Sequence, residues 1–499
     1  MRNHTIKNLI AIFLGVLTVP GFAPFYLFPL PVITLAFLFY LWRDAASATR
    51  VFALGFWYGM GLFGAGVTWL YVSLHDFGAM PPAIAIFALV LLCAYLSFFP
   101  AVTGWVTVRM GRTEPYAWIM IVAAIWVLME WLRGTLFTGF PWLALGYSQV
   151  PASPLAGFAP IMGVYGVSLV LVLSAALLSF LIQRSRIVWR LGVFLGGIWL
   201  IGFSMQFINW TKPVDEPVSV SLLQGNIEQD LKWREDHIEK TMHTYAQLIL
   251  ESNSRLIVTP EISIPLFNDA VPPEYLAYLA DHAKENNGDV LIGLAEHATN
   301  GNDTYYNSMF SFGASPEQVY RKHHLVPFGE FIPFKPIFGW IIDVLQIPLS
   351  DFSRGSSDQQ PLQLAGQQVG VNICYEDVFG EEIIKQLPQA TLLVNVSNDA
   401  WFGRSIGPHQ HLQISQMRAL ETGRYMLRAT NTGLTAIINE RGSVLEQIPV
   451  FTTAGLHGSA QGFTGATPYV KLGNYFVLVL IGILLGTAWI VSHRIGRNT

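Results

Sequence analysis

The chain contains eight long apolar segments, and these restrict its fold more than any other feature. A helix needs about 20 mostly apolar residues to cross the hydrocarbon core of a bilayer. Segments of this kind lie near 8–24, 26–42, 52–74, 83–108, 116–133, 158–182, 190–209 and 473–492. The composition agrees, because 52% of the 499 residues are hydrophobic and 12% are charged, against about 25% charged residues in ordinary soluble domains. We therefore predict a membrane protein with eight spans.

The stretch between the seventh and eighth segments has ordinary polarity and is long enough for one large domain. Short β-branched runs alternate there with helical stretches, at 218–223, 255–259, 289–294, 368–373 and 391–396. Such alternation is typical of an α/β domain. The predicted organisation is therefore a transmembrane domain of seven helices at 1–210, an α/β domain at 211–470, and a last transmembrane helix with a short tail at 471–499.

The basic residues predict how the chain is oriented in the membrane. Short loops that carry Lys and Arg stay in the cytoplasm, and here the basic residues fall in alternate loops, at Arg2, Lys7, Arg43, Arg50, Arg109, Arg112, Arg184, Arg186, Arg190, Arg494 and Arg497. Both termini are then cytoplasmic, and the domain at 211–470 is periplasmic at a bacterial inner membrane. The first segment resembles a signal peptide, but Pro24 follows its candidate cleavage site at Ala23, so we interpret it as an anchor.

Charge and cysteine content exclude several classes of function. A net charge of −4 gives no basic excess for neutralising nucleic-acid phosphates, so we predict no nucleic-acid partner. The two cysteines, Cys93 and Cys374, do not form a disulfide framework. His409 and His411 are two residues apart, which differs from the spacing of a zinc helix. The sequence also lacks a glycine-rich phosphate loop, so we predict neither metal nor cofactor.

Reactive side chains follow the predicted strands. Glu261 comes after the second run and Cys374 after the fourth, and α/β folds place their chemistry at strand ends. A thiol becomes a strong nucleophile when a base removes its proton, and Glu261 is the candidate base. Taken singly, these residues also fit a buried small hydrophobe at Cys374, a helix cap at Glu261 and a solvated lysine at Lys322.

The order and setting of these residues resemble the nitrilase, or carbon-nitrogen hydrolase, superfamily. The motifs are Pro260-Glu261, then the segment 320–325 (Tyr-Arg-Lys-His-His-Leu), then Cys374-Tyr-Glu. With the apolar segments and with 325–330 (Leu-Val-Pro-Phe-Gly-Glu) and 417–424 (Met-Arg-Ala-Leu-Glu-Thr-Gly-Arg), the chain resembles the apolipoprotein N-acyltransferase family, the membrane branch of that superfamily. The resemblance implies a polytopic helical membrane domain and a nitrilase-like αββα sandwich.

The same resemblance implies the chemistry. Glu261 is expected to be the general base, Lys322 the cation facing the tetrahedral intermediate, and Cys374 the thiol that is acylated. Glu330, Tyr375 and Glu376 are accessory candidates. For the two carboxylates, the alternative is salt bridges to Arg418 or Arg424. The implied reaction moves an acyl chain from a phospholipid, through a Cys374 thioester, to the α-amino group of a diacylglyceryl-cysteine apolipoprotein, and a monomer is expected.

An apolar, proline-broken segment at 331–345 follows Glu330 and is unusual for an exported domain. We interpret it as a lid that dips into the bilayer, while packing over the domain core is the alternative. The substrate and lid candidates are Trp233, Phe334, Phe338, Trp340, Trp401 and Phe402. Each of them is open to a second interpretation, as a core aromatic.

Two other functions remain open from the residues alone. The first is a membrane-anchored amidase or nitrilase that uses water as its second nucleophile, although a small soluble substrate needs no apolar lid. The second is a transporter or receptor whose outer domain binds a ligand. Transport is disfavoured because the spans carry few charges away from their ends.

Overall fold

The computed structural model describes residues 2–111, 114–182, 188–298, 304–333 and 351–495. Its contacts divide the chain into two compact units. The first contains Met1–Tyr71, Pro82–Asn209 and Lys471–Thr499, and the second contains Val72–Pro81 and Trp210–Val470. The segment Val72–Pro81 therefore belongs with the second unit, although the sequence placed it at the end of the third span and in the loop after it.

The first unit is built from apolar helices. Its helices are Arg2–Thr18, Pro29–Arg43, Ala48–Gly66, Pro82–Gly111, Pro115–Arg133, Ala159–Ile182, Val188–Met205 and Tyr475–Ile495. The short helix Trp69–Val72 belongs to this unit except for its last residue. By length and composition, five described helical segments are able to cross a membrane, or six when one bent pair counts as a span, and Pro29–Arg43 and Trp189–Met205 are shorter apolar helices. The predicted span at 52–74 is that bent pair: Val67 leaves helical geometry (φ −122°, ψ 26°), and the axis turns by 57°.

Glycines let the helix Ala48–Gly66 approach its neighbours closely. A Cβ atom at Gly61 would lie 2.1 Å from the carbonyl oxygen of Ile12, and one at Gly55 would lie 2.6 Å from that of Pro100. Without a hydrophobic drive between helices in lipid, close backbone packing of this kind supplies much of the attraction. The small residues of the apolar segments therefore determine which helices pair.

The second unit contains two six-stranded sheets in its described part. The strands are β1 (Lys212–Gln224), β2 (Leu256–Val258), β3 (Asp289–His297), β4 (Tyr305–Gly313), β5 (Gln318–Arg321), β6 (Leu362–Leu364), β7 (Gln367–Ile373), β8 (Leu392–Ser397), β9 (Met426–Thr430), β10 (Ala436–Ile438), β11 (Val444–Gln447) and β12 (Ala454–Thr464). The strand orders are β12-β1-β2-β3-β4-β5 and β11-β10-β9-β8-β7-β6. The predicted sandwich beside an apolar helical part is confirmed.

Alternating side chains in the strands form the layers of the sandwich. In β1, Val220 and Leu222 belong to the core between the sheets, whereas Leu223 packs on the helical side of its sheet. In β8, Val394 lies in the central core and Leu393 on the opposite face. Because successive strand residues point to opposite faces, a run that is apolar at every position builds a sheet buried on both sides.

Helices cover the outer faces, and strand direction locates the functional edge. The helices Glu235–Leu250 and Pro273–Glu285 pack on the first sheet, and Gly407–Thr422 packs on the second. Strands β1, β2 and β3 are mutually parallel, as are β7, β8 and β9. The loops after these strands carry Glu261, Cys374, Asn398 and Asn431, at the edge where α/β folds bind ligands.

Candidate active site

The turn after β2 positions Glu261. A Cβ atom at Gly293 in β3 would lie 2.4 Å from the carbonyl oxygen of Pro260 and 2.6 Å from the amide nitrogen of Ile262, so only glycine permits this close approach. Ile262 has a φ of +42°, a left-handed conformation that is costly for a β-branched residue. The backbone around Glu261 is thus held in a strained turn by close packing against β3.

Four hydrogen bonds hold the Glu261 carboxylate and the lysine opposite it. Oε1 of Glu261 accepts from Nδ2 of Asn307 at 2.7 Å and from Nζ of Lys322 at 3.1 Å. Oε2 accepts from the backbone N–H of Asn398 at 3.0 Å. Lys322 also donates to Oε1 of Glu330 at 2.8 Å. The lysine therefore lies between two carboxylates and is itself buried, with 1% of its surface exposed.

Cys374 occupies a sharp elbow directly after β7. Its φ is +54°, and a non-glycine residue in this region usually stores about 1–3 kcal/mol of strain. The backbone carbonyl of Cys374 accepts from Nδ2 of Asn395 at 3.4 Å and lies 3.3 Å from Nε2 of His411. Its thiol is close enough to Glu261 and Lys322 for their charges to act on it.

Glu376 fixes the cysteine elbow to the loop that carries Lys322. Its carboxylate accepts from the backbone N–H groups of Ile373 at 2.7 Å, His323 at 2.6 Å and His324 at 3.1 Å. Tyr320 donates its hydroxyl to the same carboxylate at 3.0 Å. Glu376 thus joins the ends of β5 and β7. Burial raises the pKa of Glu376, although these backbone donors favour the carboxylate.

The described contacts give the accessory carboxylates partners other than Arg418 and Arg424. Glu330 binds Lys322, as described above, and also accepts from the backbone N–H of Val326 at 2.8 Å. Arg418 forms an ion pair with Glu421 at 3.2 Å. Arg424 donates to backbone carbonyls, among them that of Ala390 at 2.7 Å. Glu330 therefore binds the Lys322 loop, and Glu376 binds both that loop and the cysteine elbow.

A buried ionic cluster contacts the Cys374 elbow through His411. Arg428 of β9 donates to Asp399 at 2.8 Å and lies 3.8 Å from Asp377. Asp399 accepts from Ser397 at 2.7 Å and lies 3.0 Å from Nδ1 of His411. Burial alone would raise the pKa of Asp399, but Arg428 and His411 hold it well below its ordinary value. The cluster connects β8 and β9 with the His411 ring that contacts the Cys374 carbonyl.

The three central groups have distinct resting protonation states. Burial would raise the pKa of Glu261, but Lys322, Asn307 and Lys232 outweigh it and hold the pKa below its ordinary value. Burial would lower the pKa of Lys322, but Glu261 and Glu330 hold it well above its ordinary value. Burial and the Glu261 charge raise the pKa of the Cys374 thiol. The resting site therefore has a carboxylate, an ammonium and a protonated thiol.

Aromatic side chains surround this polar centre. Trp233 packs against Ile262, Leu325 and Phe352, and Tyr375 makes an edge-to-face contact with Phe379 at 5.2 Å. Trp401 and Phe402 belong to the turn that follows Asn398. The Phe77 ring meets that of Trp401 at 5.9 Å, and the ring of Phe402 lies 6.1 Å from His411. The proposed lid residues Phe334, Phe338 and Trp340 lie outside the described residues.

Four residues of the site belong to none of the motifs in the sequence. Asn307 and the backbone of Asn398 bind Glu261, Arg428 supports Asp399, and Lys232 donates from Nζ to the Glu261 carbonyl oxygen at 3.3 Å. Each contact joins positions at least 29 residues apart. The sequence indicates Asn398 only by its position, because it directly follows β8 as Cys374 directly follows β7.

A two-sheet sandwich that gathers a glutamate, a lysine and a cysteine at its strand ends defines a protein of the carbon-nitrogen hydrolase class, here with an apolar helical part. The family models agree: residues 219–456 match carbon-nitrogen hydrolase, and residues 14–177 match the apolipoprotein N-acyltransferase N-terminal domain. The chain belongs to the apolipoprotein N-acyltransferase family.

Relatives of known family cover the whole chain. An apolipoprotein N-acyltransferase of Nitrosomonas europaea is 69% identical over 497 residues, covering 100% of both chains. One of Methylococcus capsulatus is 43% identical and covers 98% of this chain and 96% of its own. Among solved structures, the NitFhit protein of C. elegans is 17% identical with a TM-score of 0.39, covering 53% of this chain and 64% of its own.

Proposed function

We propose that this chain transfers a fatty acyl group from a phospholipid to the α-amino group of a diacylglyceryl-cysteine at the N-terminus of apolipoproteins. Glu261 is the general base, Lys322 the stabilising cation and Cys374 the nucleophile. The single observation that carries this assignment is the buried Lys322–Glu261 pair at 3.1 Å beside the strained Cys374 elbow. The choice of substrates rests on the family, whose members are named for the acylation of apolipoproteins.

In the first half-reaction, the Cys374 sulfur attacks the ester carbonyl carbon of the donor while its proton passes to Glu261. The new S–C bond produces a tetrahedral oxyanion, which Lys322 and a backbone N–H beside Cys374 stabilise. A donor of this kind typically contributes about 3 kcal/mol to the transition state. The C–O bond then breaks, Glu261 returns the proton to the glycerol oxygen, and lysophospholipid leaves.

In the second half-reaction, the acceptor amine attacks the thioester carbonyl. Glu261 takes a proton from the amine nitrogen as the N–C bond forms. The S–C bond then breaks, the sulfur regains its proton from Glu261, and the product is an amide. Because the Cys374 thiol is protonated at rest, proton transfer and attack must be coupled in each cycle, and Glu261 serves both half-reactions.

We also propose the location of the chain and its oligomeric state. The catalytic part at 211–470 faces the periplasm, the segments 1–210 and 471–499 hold the chain in the bacterial inner membrane, and the chain acts as a monomer. The lid interpretation of the segment 331–345 concerns residues 334–345, which lie outside the described part of the chain. Membrane lipid is then both the surroundings and the acyl donor, which accounts for the apolar character of the segment after Glu330.

The test is the intact mass of purified full-length protein incubated with phospholipid vesicles. Wild type is expected to gain one acyl chain, which hydroxylamine removes. The Cys374→Ser variant should gain none, and Cys93→Ser, a buried thiol in a membrane helix, should behave as wild type. A folded wild type that gains no acyl mass would refute the proposal and favour an amidase that uses water.

A further inference from the structure

The strand end that carries Glu261 holds a second buried lysine. Lys232 lies in the loop after β1, and 4% of its surface is exposed. Its Nζ donates to the backbone carbonyl of Glu261 at 3.3 Å. A Lys ammonium has three N–H donors, and among the described residues that carbonyl is the acceptor the structure gives it. The other donors of this buried ammonium are left for groups that arrive during the reaction.

A network of amides fixes the loop that carries Lys232. The backbone N–H groups of Asn226 and Ile227 both donate to Asn431, each at 2.9 Å. Asn431 donates to the side chain of Asn398 at 3.0 Å, and Asn398 donates to Gln229 at 2.6 Å. Since the N–H of Asn398 also binds Glu261, the Lys232 loop and the base share one rigid support.

The buried charges around Glu261 leave a negative charge that a second cation would neutralise. Glu261 and Glu330 carry two negative charges, and Lys322 supplies one positive charge between them. A Cys374 thiolate would add a third negative charge to this buried site. Asp399 also acts on the thiol, but Arg428 and His411 contact that carboxylate from β9 and the helix Gly407–Thr422. Lys232 brings the formal charge of the Glu261, Glu330, Lys322 and Lys232 group to zero.

We propose that Lys232 is a second active-site cation, which stabilises the negative charge that develops on Cys374 and on the tetrahedral intermediate. The inference deepens the proposed function and rests on it for the acyl intermediate, but the effect on the thiol exists without any lipid. A charge on Cys374 acts on Lys232 and opposes the effect of burial there, and attraction between opposite charges favours the charged form of both groups.

Titration of Lys232 gives the proposal a distinctive pH signature. Burial lowers the pKa of Lys232 to about 8, although Glu261 and Cys374 oppose this. The groups that face it are therefore Glu261 and Cys374, with Lys322 and Glu330 beyond Glu261. Below pH 8 the cation assists thiolate formation, and above pH 8 the assistance fades. The reactivity of Cys374 should then rise less steeply with pH between 7 and 9 than the reactivity of a lone thiol.

The experiment measures alkylation of Cys374 by iodoacetamide in the full-length protein, by intact mass, from pH 6.5 to 9.5. If Lys232 lowers the thiol pKa by about one unit, Lys232→Met reacts about tenfold more slowly than wild type at pH 7. The difference should narrow to about twofold at pH 9. Lys232→Met should also show unit slope of log rate against pH, where wild type shows a smaller slope.

Two variants make the result decisive. Lys232→Arg keeps a charge that does not titrate in this range, so we expect near wild-type rates at pH 7 with unit slope. Lys240→Met, at an exposed position in the helix Glu235–Leu250, is the matched control and should follow wild type. A Lys232→Met profile that superimposes on wild type would overturn the proposal.

The same set of variants distinguishes a folding defect from an effect on the reactivity of Cys374. If Lys232→Met lacks a thermal unfolding transition, Lys232→Arg decides, and a slope as shallow as that of wild type counts against the proposal. Because alkylation requires no phospholipid, its outcome is independent of the acyl-transfer test. Acyl transfer without a Lys232 effect refutes the second cation alone, and a Lys232 effect without acyl transfer refutes the proposed substrates alone.

Discussion

Asn307 lies at the centre of the charged site, since its side-chain amide donates to Glu261 at 2.7 Å and to Glu330 at 3.1 Å. The amide supplies no charge, yet it helps to lower the pKa of Glu261. Its backbone carbonyl also accepts from the N–H of Lys322 at 2.8 Å. One residue of β4 therefore positions both Glu261 and Lys322, the proposed base and cation.

Replacing Asn307 should make the enzyme more sensitive to acid. In Asn307→Leu, Glu261 loses a donor to its charged form, so its pKa rises and the carboxylate is protonated at higher pH than in wild type. The acid limb of Cys374 acylation, measured by intact mass from pH 4.5 to 8, should move upward by about one pH unit. Asn286→Leu, at the end of the helix Pro273–Glu285, is the control, and an unshifted limb in Asn307→Leu would contradict this role.

Arg428 should be a large single contributor to the stability of the second unit. Arg428→Met leaves Asp399 and Asp377 buried with less compensation, which typically costs about 3–5 kcal/mol. Because the folded pKa of Asp399 is depressed, its carboxylate stabilises the fold above the unfolded pKa of about 3.9, and that stability is lost as the pH falls below it. Thermal unfolding at pH 7 should show a strong loss for Arg428→Met and little change for Arg441→Met, an exposed pair with Glu440.

At the scale of elements, the elbow after β7 combines a buried strand with a left-handed residue. Cys374→Gly and Cys374→Ala both remove the thiol, but glycine adopts a φ of +54° without strain. Alanine keeps the strain, so Cys374→Ala should be less stable than Cys374→Gly by about 1 kcal/mol. Thermal unfolding of the two inactive variants measures this difference. Equal or reversed stabilities would mean that the elbow is not strained in the folded protein.

The approach of β3 to the turn after β2 makes Gly293 a sensitive position. In Gly293→Ala the new Cβ atom meets the Pro260 carbonyl oxygen at 2.4 Å, so the turn must shift and carry Glu261 with it. A displacement of about 1 Å at a reacting group can cost about a hundredfold in rate. Cys374 acylation should fall by that order in Gly293→Ala but not in Gly329→Ala, whose nearest neighbour atom would lie at 3.4 Å.

Some strands are easier to predict from the sequence than others. The β-branched runs predicted β1, β2, β3, β7 and β8, because buried strands are rich in β-branched and other apolar residues. The short strands β5, β6 and β11 lack that signal, because polar residues break the apolar run. The candidate triad followed from order and resemblance. Asn307 and Lys232 did not, since their roles depend on contacts that only the folded sandwich creates.

At the scale of the whole molecule, the distribution of basic residues between the apolar segments predicts on which side of the membrane the active site lies. Short loops that carry lysine and arginine alternate with loops that lack them. Because basic loops stay in the cytoplasm, this alternation predicts the orientation of the first unit. The proposed two-chain lipid donor would be confined to the membrane, and the proposed exported acceptor lipoprotein would be confined to its outer surface. The proposed chemistry and the charge pattern therefore predict the same orientation of the sandwich.

Cysteine labelling in whole cells tests that orientation. In a Cys374→Ser background, Lys240→Cys in the second unit should react with a membrane-impermeant maleimide once the outer membrane is opened. Arg109→Cys, at an exposed basic position in the last turn of the helix Pro82–Gly111, should react only after the inner membrane is permeabilised. The opposite labelling order would place the sandwich in the cytoplasm. Exported apolipoproteins would then be out of its reach, and a cytoplasmic substrate for Cys374 would have to replace them.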